Sequence, residues 1–311
     1  MVLATGYGGP EVLELVEQEV AEPRPGEAVL DVRAAGVNPV DWKMYSGARG
    51  RDPSALPMRL GMEGSGVLIA VGPDAAGPAG PLAVGDEVVA YRIAGAYAER
   101  VVVPATAVVP KPPAVSFELA GGLMLAGVTA IHALTAVAAK PGETVLVHAA
   151  SGAVGRIAVQ VARARGINVI GTAAPARHDE LRALGVEPVA YGDGLLERVR
   201  GVAGNGVDAA IDAAGTDEAL DTSLALVADG ARVATVANVA RGLREGIRVL
   251  GGAPGADPGV EIRQAARLEL AAFAAQGAVT LDVTPYPLAE AAAAHRESME
   301  GHPRGKLVLV A

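Results

Sequence analysis

The sequence contains no cysteine, and this absence excludes several kinds of chemistry. A chain without thiols forms no disulfide bonds, has no cysteine nucleophile and cannot build a thiolate zinc site. Its few histidines show no paired spacing of the kind that metal ligands have; they are His132, His148, His178, His295 and His302. We therefore expect no metal site in this protein.

Positive charge is scarce as well. There are 26 lysines and arginines against 35 aspartates and glutamates, which gives a formal net charge of −9. Binding to a nucleic-acid backbone depends on clustered positive charges that neutralise phosphates, and the sequence has no such cluster. We therefore expect no nucleic-acid partner.

Signals for export or for membrane insertion are weak. The N-terminal segment becomes acidic early and lacks the basic start and apolar core of a signal peptide, which favours a cytoplasmic protein. Residues 119–139 carry no charged side chain and are long enough to cross a bilayer. They are mainly alanine and glycine, with two threonines and His132, which is a poor insertion signal. We predict that this segment is buried in the protein and that there is no membrane partner.

Aromatic residues make up only 3% of the chain, so its 51% of hydrophobic residues is largely aliphatic. Because 311 residues exceed what one core usually organises, we expect two domains. In the first part, β-rich runs are separated by proline and glycine, at residues 27–34, 66–71, 87–91 and 97–103. Residues 72–81, which are poor in large apolar side chains, are predicted to form a surface loop.

Later in the chain, predicted strands alternate with predicted helices. The alternating strands are at residues 144–147, 168–172, 187–191, 207–212 and 232–236, and the helices between them are at residues 179–184, 195–202 and 217–227, after a first helix that starts near residue 154. A separate tail adds helices at residues 262–276 and 288–300 and a terminal strand at residues 306–310. This alternation predicts a doubly wound parallel sheet and therefore an α/β fold.

The most informative segment is residues 143–155, ETVLVHAASGAVG. Residues 144–147 form a short apolar run typical of a central parallel strand, and an amphipathic helix follows the turn. Between them Ala150, Gly152 and Gly155 have the G-x-G-x-x-G spacing, with alanine in the first place. In a chain with 40 glycines this spacing alone can arise by chance. The strand and helix on either side favour a dinucleotide site, with a pyrophosphate at the helix N-terminus.

The residues after the second strand indicate which dinucleotide binds. NAD-binding proteins place a carboxylate there, roughly 20 residues after the glycine motif, to bond the ribose 2′-hydroxyl. Here the position holds Ala173, and the next acidic residue is Asp179. Arg177 stands between them and offers a partner for a 2′-phosphate, which favours NADPH over NADH. The alternative, that Arg177 is a solvated helix arginine, stays open at this point.

Several segments in the same order resemble the medium-chain dehydrogenase/reductase superfamily, in particular its zinc-free quinone oxidoreductase branch. These segments are AAGVNPVDW at 34–42, GMEGSGVLIAVG at 61–72, VGDEV at 84–88, LAGVTAIHAL at 125–134, AASGAVG at 149–155 and GKLVLV at 305–310. The resemblance implies a GroES-like β-barrel catalytic domain over residues 1–115 and 265–311. It also implies a Rossmann domain that binds NADPH over residues 116–264, with the active site in the cleft between the domains.

The sequence departs from the zinc-dependent branch of this superfamily at two places. That branch has a cysteine in the first loop and Gly-His-Glu in the second, where this chain has Asn38 and Met62. Glu63 remains, but one carboxylate cannot form a catalytic zinc site with three protein ligands. Hydride transfer without a metal Lewis acid suits acceptors that are already electron-poor, namely quinones or α,β-unsaturated carbonyls.

The resemblance also assigns cofactor contacts. It places Asn38 at the nicotinamide end of the cleft and Thr129 against the nicotinamide. The remaining predicted contacts are Ala150, Ser151, Gly152, Ala153, Val154, Thr172, Arg177, Tyr191, Ala213, Val236 and Lys306. Asn38 also fits a plain turn before Pro39, and Thr129 also fits a buried-helix threonine bonded to its own backbone. Both alternatives stay open here.

The proton that follows the hydride has no clear donor in the sequence. The catalytic candidates beside Asn38 are Tyr45, the nearest phenol in the first loop, and its neighbour Lys43. Many quinone oxidoreductases have a tyrosine where this chain has Lys43, so that role does not transfer to Tyr45, and solvent is an alternative donor. Asp41 is expected to accept backbone N–H bonds in the turn. Trp42 fits either the acceptor pocket or ordinary core.

These features together predict a zinc-independent enzyme that transfers hydride from NADPH to a small quinone. Residues 42–57 and 251–255 would shape the acceptor slot. Reduction of the double bond of 2-alkenals or enones is the close alternative, and a non-catalytic NADPH-binding redox sensor is an alternative of another class. The resemblance implies a homodimer that forms through the nucleotide domains.

Overall fold

The contacts within the chain divide it into two units. The computed structural model describes residues 1–48, 50–301 and 305–311, so His302 lies outside the described residues. The first unit comprises Met1–Leu125 and Thr280–Ala311, and the second unit comprises Ala126–Val279. Both boundaries lie further along the chain than the expected ones at 115/116 and 264/265.

The first unit is built mainly from antiparallel strands. Its strands are Val2–Ala4, Leu13–Leu15, Glu27–Gly36, Met58–Arg59, Glu63–Val71, Ala76–Gly77, Gly80–Pro81, Glu87–Tyr91, Arg100–Pro104, Val108–Pro110, Val283–Pro287 and Lys306–Val310. Its helices are Pro39–Tyr45, Phe117–Gly121 and Ala291–Glu300. The predicted β-rich runs are therefore confirmed. The last of the four begins at Arg100 in the structure, later than the predicted start at Tyr97.

The longest strand, Glu27–Gly36, organises this unit. It pairs with Glu63–Val71 and Arg100–Pro104, and the C-terminal strand Lys306–Val310 also runs antiparallel to it. Lys306–Val310 in turn runs parallel to Val283–Pro287. Apolar side chains from these strands fill one core, which joins the two ends of the chain in a single unit.

The predicted surface loop at residues 72–81 contains a small hairpin. Ala76–Gly77 pairs with Gly80–Pro81, and Gly80 has a φ of +124°, a backbone conformation that residues with a side chain rarely adopt. The hairpin was not predicted, because two-residue strands leave no periodic pattern.

The second unit contains a parallel sheet with helices between its strands. In chain order the strands are Thr144–His148, Asn168–Ala173, Glu187–Ala190, Ala209–Asp212, Val233–Thr235 and Arg248–Val249. The helices are Met124–Ala136, in which the unit boundary falls, and Ala153–Ala164, His178–Ala183, Leu195–Val202, Asp217–Leu226, Val239–Glu245 and Val260–Ala275. The spatial order of strands is third, second, first, fourth, fifth, sixth, and all neighbours are parallel. This order is that of dinucleotide-binding sheets and confirms the predicted doubly wound topology.

The uncharged segment at residues 119–139 lies in the helices Phe117–Gly121 and Met124–Ala136 and in the turn that follows. Most of its side chains are buried, as predicted. In the part of the chain that the structure describes, no helix has both the length and the apolar character needed to cross a membrane.

Candidate functional site

The predicted dinucleotide turn joins the strand Thr144–His148 to the helix Ala153–Ala164. Gly152 is the N-cap residue in an extended conformation, and among the described residues no side chain caps this helix end. The first N–H groups of an α-helix have no partner within the helix. They are therefore positioned to bind an anionic group such as a pyrophosphate, which fits a bound dinucleotide.

The glycines of the turn have different roles. A Cβ atom at Gly155 would lie 2.2 Å from the backbone oxygen of Ala149, so this position requires glycine for close packing of turn and helix. A Cβ atom at Gly152 would meet nothing nearer than 3.4 Å, so here the missing side chain leaves room in front of the helix. The alanine in the first place, Ala150, is accommodated because its neighbour on the next strand is Gly171, where a Cβ atom would lie 2.8 Å from that of Ala150.

Three further predicted cofactor residues lie at the carboxyl edge of the same sheet. Thr172 is in the strand beside the turn, and its hydroxyl accepts a hydrogen bond from the backbone N–H of Ala149 at 3.2 Å. Ala213 and Val236 directly follow the next two strands. The carboxyl ends of adjacent parallel strands are where open α/β sheets bind their ligands. The structure thus brings Thr172, Ala213 and Val236 to the edge that carries the dinucleotide turn.

Asp212 organises this edge, and sequence reasoning missed it. Its carboxylate is fully buried and accepts hydrogen bonds from the backbone N–H groups of Ala214 and Gly215 at 2.9 and 2.8 Å. It also accepts one from the Thr235 hydroxyl at 2.7 Å. An acidic residue at the end of a buried strand was the signal that could have identified it.

The buried side chain of His148 contacts Thr172, whose hydroxyl bonds the turn at Ala149. Ser223 donates to a backbone oxygen, so its hydroxyl accepts from His148 Nε2 at 3.1 Å, while His148 Nδ1 accepts from Thr172 at 3.3 Å. Burial lowers the pKa of His148 to about 4, so the imidazole is neutral near pH 7. The histidine therefore holds the Thr172 hydroxyl in one orientation.

The residues predicted to select the cofactor follow the second strand. Ala173 ends that strand, and Arg177 lies in the turn Pro175–Arg177 that follows it. Arg177 Nη1 donates to Glu180 Oε1 at 2.7 Å, and Arg156 bonds the other oxygen of Glu180 at 3.3 Å. Asp179 is the nearest acidic residue along the sequence, but Glu180 is the carboxylate that contacts Arg177. A 2′-phosphate at this place would share Arg177 with Glu180.

Tyr191 and Thr129 occupy very different surroundings in the second unit. Tyr191 follows the strand Glu187–Ala190, and 54% of it is exposed. Thr129 is buried, and its hydroxyl accepts a hydrogen bond from Arg263 Nη1 at 3.2 Å. Arg263 Nε also donates to His132 Nδ1 at 3.2 Å. The roles of Tyr191 and Thr129 as cofactor contacts remain predictions.

Asn38 lies in a buried polar cluster of the first unit. It is the N-cap residue of the helix Pro39–Tyr45, in line with a turn before Pro39, and its side chain is also bonded. Asn38 Nδ2 donates to Glu63 Oε1 at 2.9 Å and to the backbone oxygen of Gly36 at 3.2 Å. Lys306 Nζ donates to Asn38 Oδ1 and lies 3.2 Å from Glu63 Oε1. The exposed fractions are 2% for Asn38, 0% for Glu63 and 4% for Lys306.

A second chain of buried polar side chains starts at Asp41. Its Oδ2 accepts the backbone N–H of Asn38 at 2.8 Å, as predicted, and the hydroxyl of Tyr97 at 3.0 Å. His295 bonds Tyr97 through Nε2 at 3.1 Å and Tyr45 through Nδ1 at 2.8 Å. Burial raises the pKa of Asp41 to about 7 and lowers that of His295 to about 4.

Tyr45 and Lys43, the other catalytic candidates, differ in their environment. Tyr45 is fully buried with its hydroxyl on His295, and burial raises its pKa far above the ordinary value. This position does not favour direct proton donation to a substrate. Lys43 Nζ lies 5.3 Å from the centre of the Trp42 ring, and Trp42 packs against the core of the first unit. A catalytic role for either candidate remains a prediction.

A cavity that is wide open to solvent, with a volume of about 650 Å³, lies in the first unit. Its lining includes Met44, Arg51, Pro57 and Met58, so it is formed largely by the segment that was predicted to shape the acceptor slot. The volume is typical of a pocket for a small organic ligand. The other predicted stretch, residues 251–255, belongs to the second unit and does not line this cavity.

Among the described residues, no group of three or more histidine, cysteine, aspartate or glutamate side chains could hold a metal ion. At the place of the family's zinc ligands, both oxygens of Glu63 have partners. Oε1 is bonded by Asn38 and Lys306, and Oε2 accepts the backbone N–H of Leu125 at 2.7 Å.

Comparison with known proteins agrees with this architecture. The family model of the alcohol dehydrogenase GroES-like domain matches residues 24–113, and that of zinc-binding dehydrogenases matches residues 184–309. Quinone oxidoreductase of Mus musculus is 31% identical over 322 residues, which cover 98% of this chain and 95% of that protein. The synaptic vesicle membrane protein VAT-1 homolog of Homo sapiens is 34% identical over 69% of this chain, and the chain spans only about half of its length, 55%.

Two solved structures extend the likeness over the whole chain. Escherichia coli quinone oxidoreductase complexed with NADPH has a TM-score of 0.85 at 29% identity, with 100% of this chain and 99% of that chain covered. CurK enoyl reductase has a TM-score of 0.84 at 25% identity, with 99% and 98% covered. The first unit therefore contains the expected GroES-like domain and the second the expected Rossmann-type sheet. The chain belongs to the medium-chain dehydrogenase/reductase superfamily, in its quinone oxidoreductase branch.

Proposed function

We propose that this protein is an NADPH-dependent oxidoreductase that reduces quinones without a metal ion. The observation that carries the proposal is the turn at residues 149–155, where the Gly155 backbone packs against Ala149 and Gly152 leaves the helix end open. NADPH, when bound, supplies the hydride. The protein's own residues bind the pyrophosphate at this helix end and hold the two reactants in position.

The choice of NADPH over NADH rests on the end of the second strand. Ala173 offers no carboxylate to a ribose 2′-hydroxyl, and Arg177 offers a guanidinium to a 2′-phosphate. A hydrogen bond to a charged group contributes about 1.5 to 3 kcal/mol, which corresponds to about tenfold or more in affinity. The relative from Escherichia coli was solved with NADPH, which supports the same choice.

Metal independence is supported by the ion pair and hydrogen bond that the Glu63 carboxylate makes inside the protein. In this chain the ammonium of Lys306 neutralises the Glu63 carboxylate, and Asn38 Nδ2 bonds the same oxygen. These contacts use the carboxylate for an internal ion pair, and cysteine is absent from the sequence. Without a metal to polarise a carbonyl, electron-poor acceptors are favoured.

The cavity beside residues 44–59 is our candidate for the acceptor pocket. Met44, Pro57 and Met58 give it apolar surface, and its volume of about 650 Å³ suits a quinone of two or three rings. Reduction of an activated carbon–carbon double bond is the second candidate, favoured by the similarity to CurK enoyl reductase. In either reaction solvent is our proposed proton source, because the Tyr45 hydroxyl is held in the core by His295.

We further propose a cytoplasmic homodimer. The strands Glu187–Ala190 and Arg248–Val249 are the edges of the parallel sheet, so a partner could extend it there. Light scattering on the purified protein would give the assembly state.

The test is a comparison of wild type, Arg177→Ala and the control Arg182→Ala, which removes an exposed arginine paired with Asp179. Binding of NADPH and NADH is titrated, and oxidation of NADPH is followed with 9,10-phenanthrenequinone and with a 2-alkenal. We expect tight NADPH binding and turnover in wild type, with the NADPH preference reduced about tenfold only in Arg177→Ala. Binding without turnover of any acceptor would instead support the redox sensor.

A further inference from the structure

The cavity in the first unit combines an apolar wall with two positively charged side chains. The charged side chains are those of Arg51 and Arg59. The apolar residues of the lining are Met44, Ala55, Pro57, Met58 and Ala94. Because the whole chain has a formal net charge of −9, a cavity lined by two arginines differs in charge from the rest of the molecule. The lining suits a ligand that is largely apolar and carries a negative charge.

The charges of these two arginines are not neutralised by the surrounding protein. Arg59 Nη2 donates to the side-chain oxygen of Gln18 at 3.2 Å, and this amide carries no charge. Within residues 1–48, 50–301 and 305–311, no carboxylate lies within ion-pair distance of Arg51 or Arg59. A guanidinium group has five N–H donors, so both arginines keep donors for a ligand.

Tyr7 and Asp52, the other polar side chains among the described lining residues, are bonded within the protein. Asp52 Oδ1 accepts hydrogen bonds from the backbone N–H and the hydroxyl of Ser54, at 2.9 and 2.7 Å. The Tyr7 hydroxyl donates to the backbone oxygen of Asp52 at 2.9 Å and accepts its N–H at 2.7 Å. The bonds from the Ser54 hydroxyl and N–H lower the pKa of Asp52, so it is ionised near pH 7. The lining therefore has two positive charges and one negative charge.

The backbone at two glycines makes room for the arginine side chains. A Cβ atom at Gly47 would lie 2.7 Å from Arg51 Nε. One at Gly95 would lie 3.5 Å from Arg59 Cδ. Both glycines have a positive φ, +79° and +94°, which residues with a side chain rarely adopt. Because each arginine already packs against a backbone surface, it loses less side-chain freedom when it binds a ligand.

We propose that this cavity takes an acceptor that bears a carboxylate, and that Arg51 and Arg59 select it. The ring system of the acceptor lies on the apolar wall, and its carboxylate bonds the planar guanidinium groups. The inference rests on the proposed function, because it names the class of acceptor for the same pocket. Exposed ion pairs are individually weak, so the two arginines together should favour an acidic acceptor over an uncharged one about three- to tenfold.

The test uses two pairs of probes, one for binding and one for turnover. Binding of phenanthrene-2-carboxylate and of the uncharged phenanthrene-2-carboxamide is followed by fluorescence without cofactor. Turnover with NADPH is compared for 9,10-phenanthrenequinone and its 2-carboxylate. We expect wild type to prefer the carboxylate of each pair about three- to tenfold, in Kd and in KM, and Arg51→Gln/Arg59→Gln to lose this preference. Equal values for both members of each pair in wild type would overturn the proposal.

Arg33→Gln/Arg100→Gln is the matched control, because it removes the same charge from the first unit. Both arginines are exposed and pair with Asp31, at 2.9 and 3.5 Å, and neither lines the cavity. This variant should keep the preference for the carboxylate probes. An equal loss of preference in the control would show that net charge is responsible, and it would overturn the role of Arg51 and Arg59.

Two further measurements do not require the arginine variants. Attraction between exposed charges is screened by salt, so added NaCl should reduce the preference of wild type. Asp52→Asn removes the negative charge of the lining, and asparagine can also accept the bonds from Ser54, so the preference should increase. A preference that changes with neither salt nor Asp52→Asn would contradict an electrostatic origin.

The inference and the proposed function fail in different ways. If wild type reduces both quinones with equal KM and binds both phenanthrene probes equally, the proposed function stands and the inference fails. If wild type prefers phenanthrene-2-carboxylate and Arg51→Gln/Arg59→Gln does not, but neither quinone is reduced, the proposed function fails and the carboxylate site stands.

Discussion

At the scale of single residues, we expect Glu180 to influence cofactor choice. Its carboxylate binds Arg177 at 2.7 Å and Arg156 at 3.3 Å, so it would compete with a bound 2′-phosphate for the same guanidinium groups. We predict that Glu180→Gln binds NADPH about three- to tenfold more tightly, while NADH binding changes little. Dissociation constants from fluorescence titration measure this effect.

Asp179→Asn is the control for this prediction. Asp179 is exposed and pairs with Arg182, three residues along the chain, at 2.8 Å, so its removal should leave the affinity for both cofactors unchanged. An unaltered NADPH affinity in Glu180→Gln would mean that Arg177 does not bind the phosphate.

His148 is predicted to make the second unit sensitive to acid. Its pKa is about 4 in the folded protein against an ordinary value of 6.5, so between these values the unfolded chain binds more protons. The stability due to neutral His148 is fully present above pH 6.5 and is lost as the pH falls toward 4, by up to about 3 kcal/mol. His148→Gln should therefore reduce the loss of stability between pH 6.5 and pH 4.5.

Melting temperatures of wild type and His148→Gln at several pH values check this prediction. His295 also has a lowered pKa, while Asp41 has a raised one whose contribution falls as the pH rises, so the difference between the two proteins isolates His148. A difference that stays constant from pH 7.5 to pH 4.5 would rule out a buried neutral His148 as the acid-sensitive group.

At the scale of elements, the turn before the helix Ala153–Ala164 contains two glycines whose substitution should affect stability differently. In Gly155→Ala the new methyl group would overlap the Ala149 backbone oxygen at 2.2 Å, so we expect a loss of about 1 to 3 kcal/mol in stability together with weaker NADPH binding. In Gly152→Ala the nearest atom is 3.4 Å away, so the fold is kept. NADPH binding should still fall several-fold, because the methyl group occupies the approach to the helix N-terminus.

Thermal unfolding and NADPH titration of the same two variants separate these effects. Gly201→Ala is the reference variant. Gly201 lies in the helix Leu195–Val202, and a Cβ atom added there would meet nothing within 4 Å. This variant should gain about 0.5 to 1 kcal/mol in stability and leave binding unchanged. If Gly152→Ala binds NADPH as tightly as wild type does, the pyrophosphate does not lie at this helix end.

At the scale of the whole molecule, the C-terminal strand Lys306–Val310 completes a unit that begins at residue 1. It lies between Glu27–Gly36 and Val283–Pro287, with Leu307, Val308 and Leu309 buried. Full burial of one such side chain contributes about 1.5 to 3 kcal/mol, so three are comparable to the net stability of a domain. We predict that removal of residues 305–311 prevents the first unit from folding.

Limited proteolysis and circular dichroism measure this outcome. The truncated chain should leave a protected fragment close to residues 126–279, which form the second unit. Removal of the exposed Ala311 alone is the control and should leave the melting curve unchanged. A fully protected first unit in the longer truncation would contradict the prediction.

Local patterns explain which elements could be predicted. The helix Leu195–Val202 and the strands Glu87–Tyr91 and Lys306–Val310 have the predicted bounds, because their apolar periodicity is strong and turn residues flank them. The helix Val239–Glu245 and the strand Arg248–Val249 were missed, since both are short and carry charged residues. The pair Arg177–Glu180 spans three residues of sequence and could have been predicted from helical spacing.

The order and spacing of neighbouring residues were sufficient to predict the family and a strand–turn–helix of the kind that binds a dinucleotide, and composition alone excluded cysteine chemistry. The position of Asn38 between Glu63 and Lys306, and the contacts by which His295 joins Tyr97 to Tyr45, depend on the tertiary structure. Hydrogen bonds and ion pairs of this kind join residues far apart in the chain. Their partners are selected by strand register and by burial, which raises the free-energy cost of any polar group left unpaired.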